Sequence, residues 1–368
     1  MPALAAGASS CRRKRGDGFN GYAFVANQEG RAIAAVDLTA FAVARHIALD
    51  GAPTEVVAHP SKPLVYALTP DTGTVYEIAT GTLAVKRKAW LGGPATSMLP
   101  ESGGDALWIL SAPGKRLLRL PFDSLRVSAD IRLPAVPTSF DLGAAHNGKE
   151  WVGMAVAGFG KAGSLSLVDL RTGTVQKPVP VGGEIGTVRF RSDGKSVLVA
   201  GLEARQLTVI DSQSGGVVVH LPLSLRPDHF CFHPNGGQLF VTGEGRDAVV
   251  VIFPYFVPEV AETVLAGSRP GAMAATSSYL FVTSPAAGDL SILDITRRRV
   301  IAITAVGAGP GFVAVTPDNE YALVLNRESG DMAVIRVAGL QPDRRKTAPL
   351  FTMIPVGSKP VTAVISSV

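Results

Sequence analysis

The sequence predicts an all-β chain folded as an eight-bladed propeller, each blade a four-stranded antiparallel sheet. Three observations carry that expectation. From residue 21 onward, short runs rich in Val, Leu, Ile, Tyr and Phe alternate with Gly, Pro, Asn and Asp, with no amphipathic helical period among them. One kind of run recurs as YAFVAN (22–27), LVYALTP (64–70), ALWILSA (106–112), WVGMAVA (151–157), SVLVAGL (196–202), QLFVTGE (238–244), YLFVTSP (279–285) and YALVLNR (321–327). Its spacing averages about 43 residues, inside the roughly 40–50 of propeller blades. Finally, the chain opens with three strands of a unit and closes with a lone fourth, KPVTAVISS (359–367). That strand is expected to complete the first blade and so remove the open edges that would template aggregation. Seven blades is the alternative count, should the irregular 238–278 unit, where FPYFVPEV replaces the hairpin, be absorbed into its neighbours.

Within a unit the order is constant. The first reads YAFVAN (22–27), AIAAVDL (32–38), VARHIAL (43–49), then a GAP corner and TEVVAHP (54–60). The strand after each corner starts near Thr54, Thr96, Thr138, Thr187, His229, Ala272, Phe312 and Thr362. An acid closes the second strand in VDLTAFAV (36–43), LVDLRTGTV (167–175), IDSQSGGV (210–217) and LDITRRRV (293–300), and YEIATGTL (76–83) offers Glu77 in the same role. An Asp opening a turn accepts N–H groups two and three residues on, and a following Gly takes the left-handed conformation. Asp37, Glu77, Asp169, Asp211 and Asp294 are therefore read as hairpin punctuation, with Gly81, Gly173 and Gly215 as the left-handed residues.

Composition fits a core-forming, turn-rich chain: 46% apolar and 18% charged, with 40 Gly and 26 Pro. Residues 21–368 are read as one propeller domain and 1–20 as a separate basic segment. The formal charge of +5 does not point to nucleic acid, because Arg12, Arg13, Lys14 and Arg15 against Asp17 supply +3 of it. No stretch is long and apolar enough to span a bilayer. Cys231 in HFCFHP reads as a small buried thiol. Cys11 follows MPALAAGASS, which resembles the end of a bacterial lipoprotein signal peptide and makes Cys11 the lipidation candidate. The location expected is periplasmic or cell-surface, possible lipid anchorage included, or cytoplasmic if the chain begins as given.

VGAGPGFVAVTPDNEYALVLNRESGDMAVI (306–335), FRSDGKSVLVAG (190–201) and FHPNGGQLFVTG (232–243) together resemble the YVTN-type bacterial β-propeller repeat. The likeness extends over nearly all of 22–367. It implies surface-layer-like, periplasmic or lipid-anchored propellers, related to lactonase-like propellers and to the haem-binding domain of cytochrome-type nitrite reductases. Architecture of this kind does not by itself specify chemistry.

Ligands of propellers sit among the loops of one rim. Here those are corners such as LRPDH, SRPGA and SKPVT and loops such as EGRDA and RESGD. The ionisable candidates are Arg226, Asp228, His229, Arg246, Arg269 and Arg327, with Glu55 and Lys359 on the same rim. Guanidiniums around a shallow funnel would suit an anionic ligand through paired hydrogen bonds. His59, His146 and His233 fall on hairpins of the opposite face, and His46 and His220 on outer strands. No metal-ligand spacing, nucleophile elbow or phosphate loop is present, so no metal and no catalytic residue is assigned. GFGKAGS (158–164) reads as a hairpin loop.

The expectation is a non-enzymatic binding or scaffolding propeller outside the cytoplasm, a monomer whose funnel loops recognise a protein or a small anion, with no cofactor. Two alternatives follow from the resemblance. A lactonase-like hydrolase would use Asp228 and His229. A haem-binding propeller would take His229 as axial ligand, with Arg226, Arg246 and Arg269 pairing the propionates.

Overall fold

The two middle strands of each repeat are apolar on both faces, and that decides the architecture. In Gly21–Asn27, Ala23 and Val25 point one way, Phe24 and Ala26 the other, and all four are fully buried. A sheet apolar on both faces has to be covered on both, and sheets packed face to face in a ring meet that need without ends. The protein, described here by a computed structural model over residues 18–101, 104–146, 151–340 and 349–367, is such a ring: eight four-stranded antiparallel sheets. Blades 2 to 8 run outward from inner strands Glu55–Ala58, Ser97–Pro100, Ser139–His146, Ile185–Phe190, Arg226–Phe232, Met273–Ala275 and Pro310–Val315. One apolar cluster fills each of the eight blade–blade interfaces.

Blade 1 is assembled from both ends of the chain. From rim to axis its strands are Ala42–Ala48, Ala32–Asp37, Gly21–Asn27 and Pro360–Ser367. The closing pair runs from Gly21 opposite Ser367 to Asn27 opposite Pro360, as the sequence predicts. The Thr362 hydroxyl then donates to the Thr54 carbonyl of blade 2 at 3.1 Å. Eight blades, not seven, follow because the irregular unit is a complete blade 6. FPYFVPEV forms the turn between Ala248–Phe253 and Glu259–Leu265. Arg191 of blade 5 donates to the Pro254 carbonyl at 2.8 Å, and the Tyr255 and Ser192 hydroxyls meet at 2.5 Å.

The recurring Val-Gly and terminal Asn of the repeat are one device. Asn27 Nδ2 donates to the Val356 carbonyl and Asn326 Nδ2 to the Val306 carbonyl, both at 2.6 Å, linking blade 1 to the residue after the outer strand of blade 8 and blade 8 to the one after that of blade 7. The glycine that follows each valine has φ of 123° (Gly357) or 129° (Gly307). A Cβ there would lie 2.8 Å from Asn27 Nδ2 or 2.5 Å from Asn326 Nδ2, so the amide leaves no room for a side chain.

The hairpin acids behave as expected at four of five places. Asp37 accepts the Thr39 and Ala40 N–H groups at 2.7 and 3.1 Å, Asp169 those of Arg171 and Thr172 at 2.9 and 2.8 Å. Asp211 accepts from Gln213 and Ser214 at 3.2 and 2.7 Å, Asp294 from Arg297 at 2.8 Å. Glu77 corrects the pattern. Register places Ala79, not Glu77, at the turn position, since Ala79 pairs with Leu64 as Asp37 pairs with Tyr22. Glu77 is instead fully buried, accepting Arg87 Nε at 2.9 Å and the Tyr66 hydroxyl at 3.1 Å. Gly81 is likewise not the left-handed residue; Leu83 is, at φ 50°, while Gly173 and Gly215 are left-handed as predicted. Cys231 packs at the blade 6–7 interface, where burial pushes its thiol up to about 12. Cys11 and the basic segment lie outside the described residues.

Two outcomes test this account. Removing 359–368 strips blade 1 of its inner strand and exposes two interfaces, so it should abolish the cooperative melt that removal of 1–17 leaves in place; equal melting curves would refute the closure. Hydrogen bonds hold Asp37, Asp169, Asp211 and Asp294 below the ordinary carboxylate range, outweighing burial at Asp37, Asp211 and Asp294. Their folded-state values lie under their unfolded ones, so the stability they give is full above the unfolded value, about pH 4, and is lost as pH falls through the folded values. Asp169→Ala should cost about 1–2 kcal/mol at pH 7 and shrink the acid-limb loss of stability, both read from denaturant midpoints at pH 7 and pH 3.

Candidate functional site

The inner strand of blade 6 starts with Arg-Pro-Asp-His and carries a β-bulge between Pro227 and His229. Pro227 has no N–H to offer, and the bulge is where its strand departs from regular pairing. The close approach needs a glycine across the strand, because a Cβ on Gly243 would fall 1.9 Å from the Arg226 carbonyl oxygen. The consequence is that Asp228 and His229 emerge side by side. His229 Nε2 lies 3.4 Å from Asp228 Oδ2, an ion pair when the imidazole is protonated, with the two side chains 44% and 62% exposed.

These two side chains open a cavity of about 590 Å³ that also takes Glu244, Arg246 and Asp247 from the next loop, Arg269 from the corner to blade 7, and Glu328 from blade 8. Arg269 has φ 49°, and Lys359 has φ 54° before Pro360, where the equivalent corner of blade 8 has Gly309 at φ 67°. A left-handed non-glycine before proline is a strained solution to a turn that glycine solves freely. The Arg269 N–H is caught by Asp247 Oδ1 at 2.8 Å.

Of the six rim candidates, the fold brings Asp228, His229, Arg246 and Arg269 into this cavity. Arg226 stands at its edge, 3.5 Å from Glu244 Oε2. Arg327 faces an adjoining cavity of about 790 Å³ with Glu29 and Lys359, which pair at 3.4 Å; Glu328 lines both spaces. Glu55 lies elsewhere, reaching the Met98 N–H of blade 3 at 2.5 Å. Sequence reasoning about the rim named the cations of the EGRDA and RESGD loops and passed over their carboxylates. It also missed Asp141 and Arg189, on the inner strands of blades 4 and 5. Arg189 Nη1 is 3.5 Å from Asp141 Oδ1, and Asp141 Oδ2 accepts the Phe190 N–H at 2.8 Å. Burial pushes Glu55 and Asp141 above the usual carboxylate range against the pull of Arg189 and those N–H groups. Both carboxylates thus join inner strands of adjacent blades.

The cavity's charges divide into engaged and unengaged groups. Asp228 touches His229, Glu244 touches Arg226, and Asp247 accepts from the Arg269 backbone. The guanidiniums of Arg246, Arg269 and Arg327 have no hydrogen-bond or ion-pair partner among the described residues, and all three residues are exposed. His59 and His233 serve turns, and His220 on an outer strand contacts Gln206 and Thr208 at 3.0 Å. His59 Nδ1 accepts the Ser61 and Lys62 N–H groups at 3.1 Å, and His233 contacts Asn235 at 2.6 Å and the Ser277 carbonyl at 3.2 Å. No cluster of three or more His, Cys, Asp or Glu suited to a metal occurs among the described residues. The side chain of His146 lies outside them.

The sequence matches no protein-family profile and no curated protein. Among solved structures, the chain is similar to the dihydro-heme d1 dehydrogenase NirN in complex with DHE: TM-score 0.74, 16% identity, 96% of this chain and 77% of that one. Apo AztD from Citrobacter koseri matches with TM-score 0.69 and 12% identity over 94% and 97% of the two chains. Hydrazine synthase from Kuenenia stuttgartiensis gives 0.58 and 16% over 78% and 96%. NirN and AztD are bacterial propellers, and the likeness is one of fold.

Proposed function

We propose that the protein is a non-enzymatic binding propeller, acting outside the cytoplasm and tethered through Cys11, that holds an organic anion at the blade 6–8 funnel. The observation that carries this is the unengaged guanidiniums of Arg246 and Arg269 in one cavity, with Arg327 next to it, while three of the cavity's four carboxylates already have partners. A guanidinium stays charged at any working pH and presents a planar fork of donors that matches a carboxylate. A volume of about 590 Å³ suits a small organic molecule.

A second reading, tetrapyrrole binding, is favoured by one feature of the residue set: a half-exposed imidazole, His229, stands among the guanidiniums. These residues fit the group in kind. His229 would hold the iron, and Arg246 and Arg269 the acid side chains, the iron porphyrin supplying redox or transport chemistry when bound. The NirN structure, with its DHE ligand, supports the reading only as a relative in fold. The lactonase alternative would place Asp228 and His229 on a lactone ring.

Calorimetric titration with citrate and with haem discriminates these. For an organic anion, Arg246→Ala and Arg269→Ala should each weaken citrate binding about tenfold or more, with melting unchanged. For a tetrapyrrole, added haem should develop a band between roughly 400 and 650 nm that His229→Ala abolishes. Saturable binding unaffected by either arginine would overturn the anion reading, and lactone hydrolysis lost in both Asp228→Asn and His229→Ala would replace it with catalysis.

A further inference from the structure

A further cavity, about 730 Å³, shares no lining residue with the two at the blade 6–8 funnel and lies between the outer strand of blade 2 (Ala84–Trp90) and the outer part of blade 3. It arises because blade 3 has a short outer strand, Ala129–Arg132, preceded by the loop 122–128 that carries Arg126. That loop is held from across the interface. Arg87, already paired with buried Glu77, donates Nη2 to the Phe122 carbonyl at 2.7 Å and Nη1 to the Asp123 carbonyl at 2.6 Å. Leu125 takes the left-handed conformation, φ 50°, and is buried as the loop's anchor. The groove is thus preorganised, its floor set by Leu91, Leu118 and Leu125.

Two features of its walls point to a ligand. Trp90 leaves 72% of its surface in water, in a chain whose Trp108 is fully buried. Around it the charge is one-sided: the cavity is lined by Arg87, Lys88, Arg116 and Arg126 and by no carboxylate. Two of these cations are engaged within the protein, Arg87 by Glu77 and Arg116 by Asp130 at 2.9 Å. Arg126 is exposed and has no partner among the described residues. Lys88 has only Asp50, at 2.9 Å with both side chains mostly in solvent, a pair weak enough to exchange for a ligand.

A flat exposed indole flanked by cations could serve an acidic peptide or an acidic sugar chain. The floor decides between them. Leu91, Leu118 and Leu125 are 4%, 1% and 5% exposed, so the floor offers little apolar surface to a peptide's anchoring side chain. A sugar ring needs no socket, since its C–H face lies on the ring face of an aromatic side chain while its acid group takes the cations. We propose that this groove binds an anionic polysaccharide, one ring stacked on Trp90 and its carboxylate or sulfate held by Arg126 and Lys88.

The test is isothermal titration of the full chain with three hexasaccharides: oligogalacturonate, a sulfated heparin fragment and neutral galactan. Binding of either anionic chain, with galactan at least about tenfold weaker, is expected, and the stronger of the two names the acid group. Trp90→Ala and Arg126→Glu should each weaken that binding about tenfold or more, Trp90→Phe should retain most of it, and Arg269→Ala should leave it unchanged. Trp90 and Arg126 are exposed, so the variants should melt with the parent protein, which separates lost binding from lost fold. Equal binding of galactan, tighter binding of a glutamate-rich peptide, no measurable binding, or indifference to both substitutions would overturn the proposal.

Discussion

No blade of this protein can stand alone. Each sheet has two apolar faces, and the eight core clusters lie between blades, none within one. Hydrophobic stabilisation is therefore a property of interfaces, and it is complete only when the last blade meets the first. The chain meets that condition by giving blade 1 strands from both termini, so that separating blade 8 from blade 1 requires breaking a sheet as well as an apolar contact. Side-chain links repeat the logic at smaller scale. Asn27, Asn326, Asp141 and Thr362 each bond the backbone of a neighbouring blade, where a buried polar group has to find a partner.

A scaffold fixed in this way confines variation to loops and corners, and the strain found there is informative. Blade 8 shows that glycine suffices before the corner proline, yet blades 7 and 1 keep Arg269 and Lys359 in the same left-handed conformation. A cost of roughly 1–3 kcal/mol per residue is retained where the side chain faces a cavity. The neighbours in fold, with identities of 12–16%, share the ring and differ in residues, so what distinguishes this chain has to be sought in such positions.

The ring was legible in the sequence because its signals are periodic. Strand alternation, corner prolines and turn aspartates recur at one interval, and each recurrence checks the others. Blade number and the closing strand followed from counting. Local spacing was less reliable than pairing register: Glu77 stands six residues before Leu83 as Asp37 stands before Val43, but the register shows it two positions early, and its carboxylate turns inward to Arg87 and Tyr66. The funnel was legible in part. Arg246 and Arg269 sit in loops that the repeat assigns to one rim, whereas the meeting of Asp228 with His229 depends on a bulge, and that of Asp141 with Arg189 on the contact of separate blades. Asp228 and His229 are adjacent in the sequence and both read as rim candidates, but neither the bulge that turns them together nor the contact of separate blades leaves a mark in a linear pattern.

The arginines show why partners matter more than residue type in locating a site. Arg87 and Arg246 are the same side chain on the same fold. Arg87 meets a buried carboxylate and two loop carbonyls, so nearly all its donors are used within the protein and its role is to shape the groove beside Trp90. Arg246, Arg269 and Arg126 have no such partners among the described residues, and they stand over concave surfaces. A cation left to water on a convex surface is ordinary, since solvation there is nearly as good as any partner. In a cavity, water is a poorer competitor for a bidentate acid, and several guanidiniums brought together repel one another until an anion arrives. Charge that the fold gathers and does not neutralise is the part of this structure directed outward.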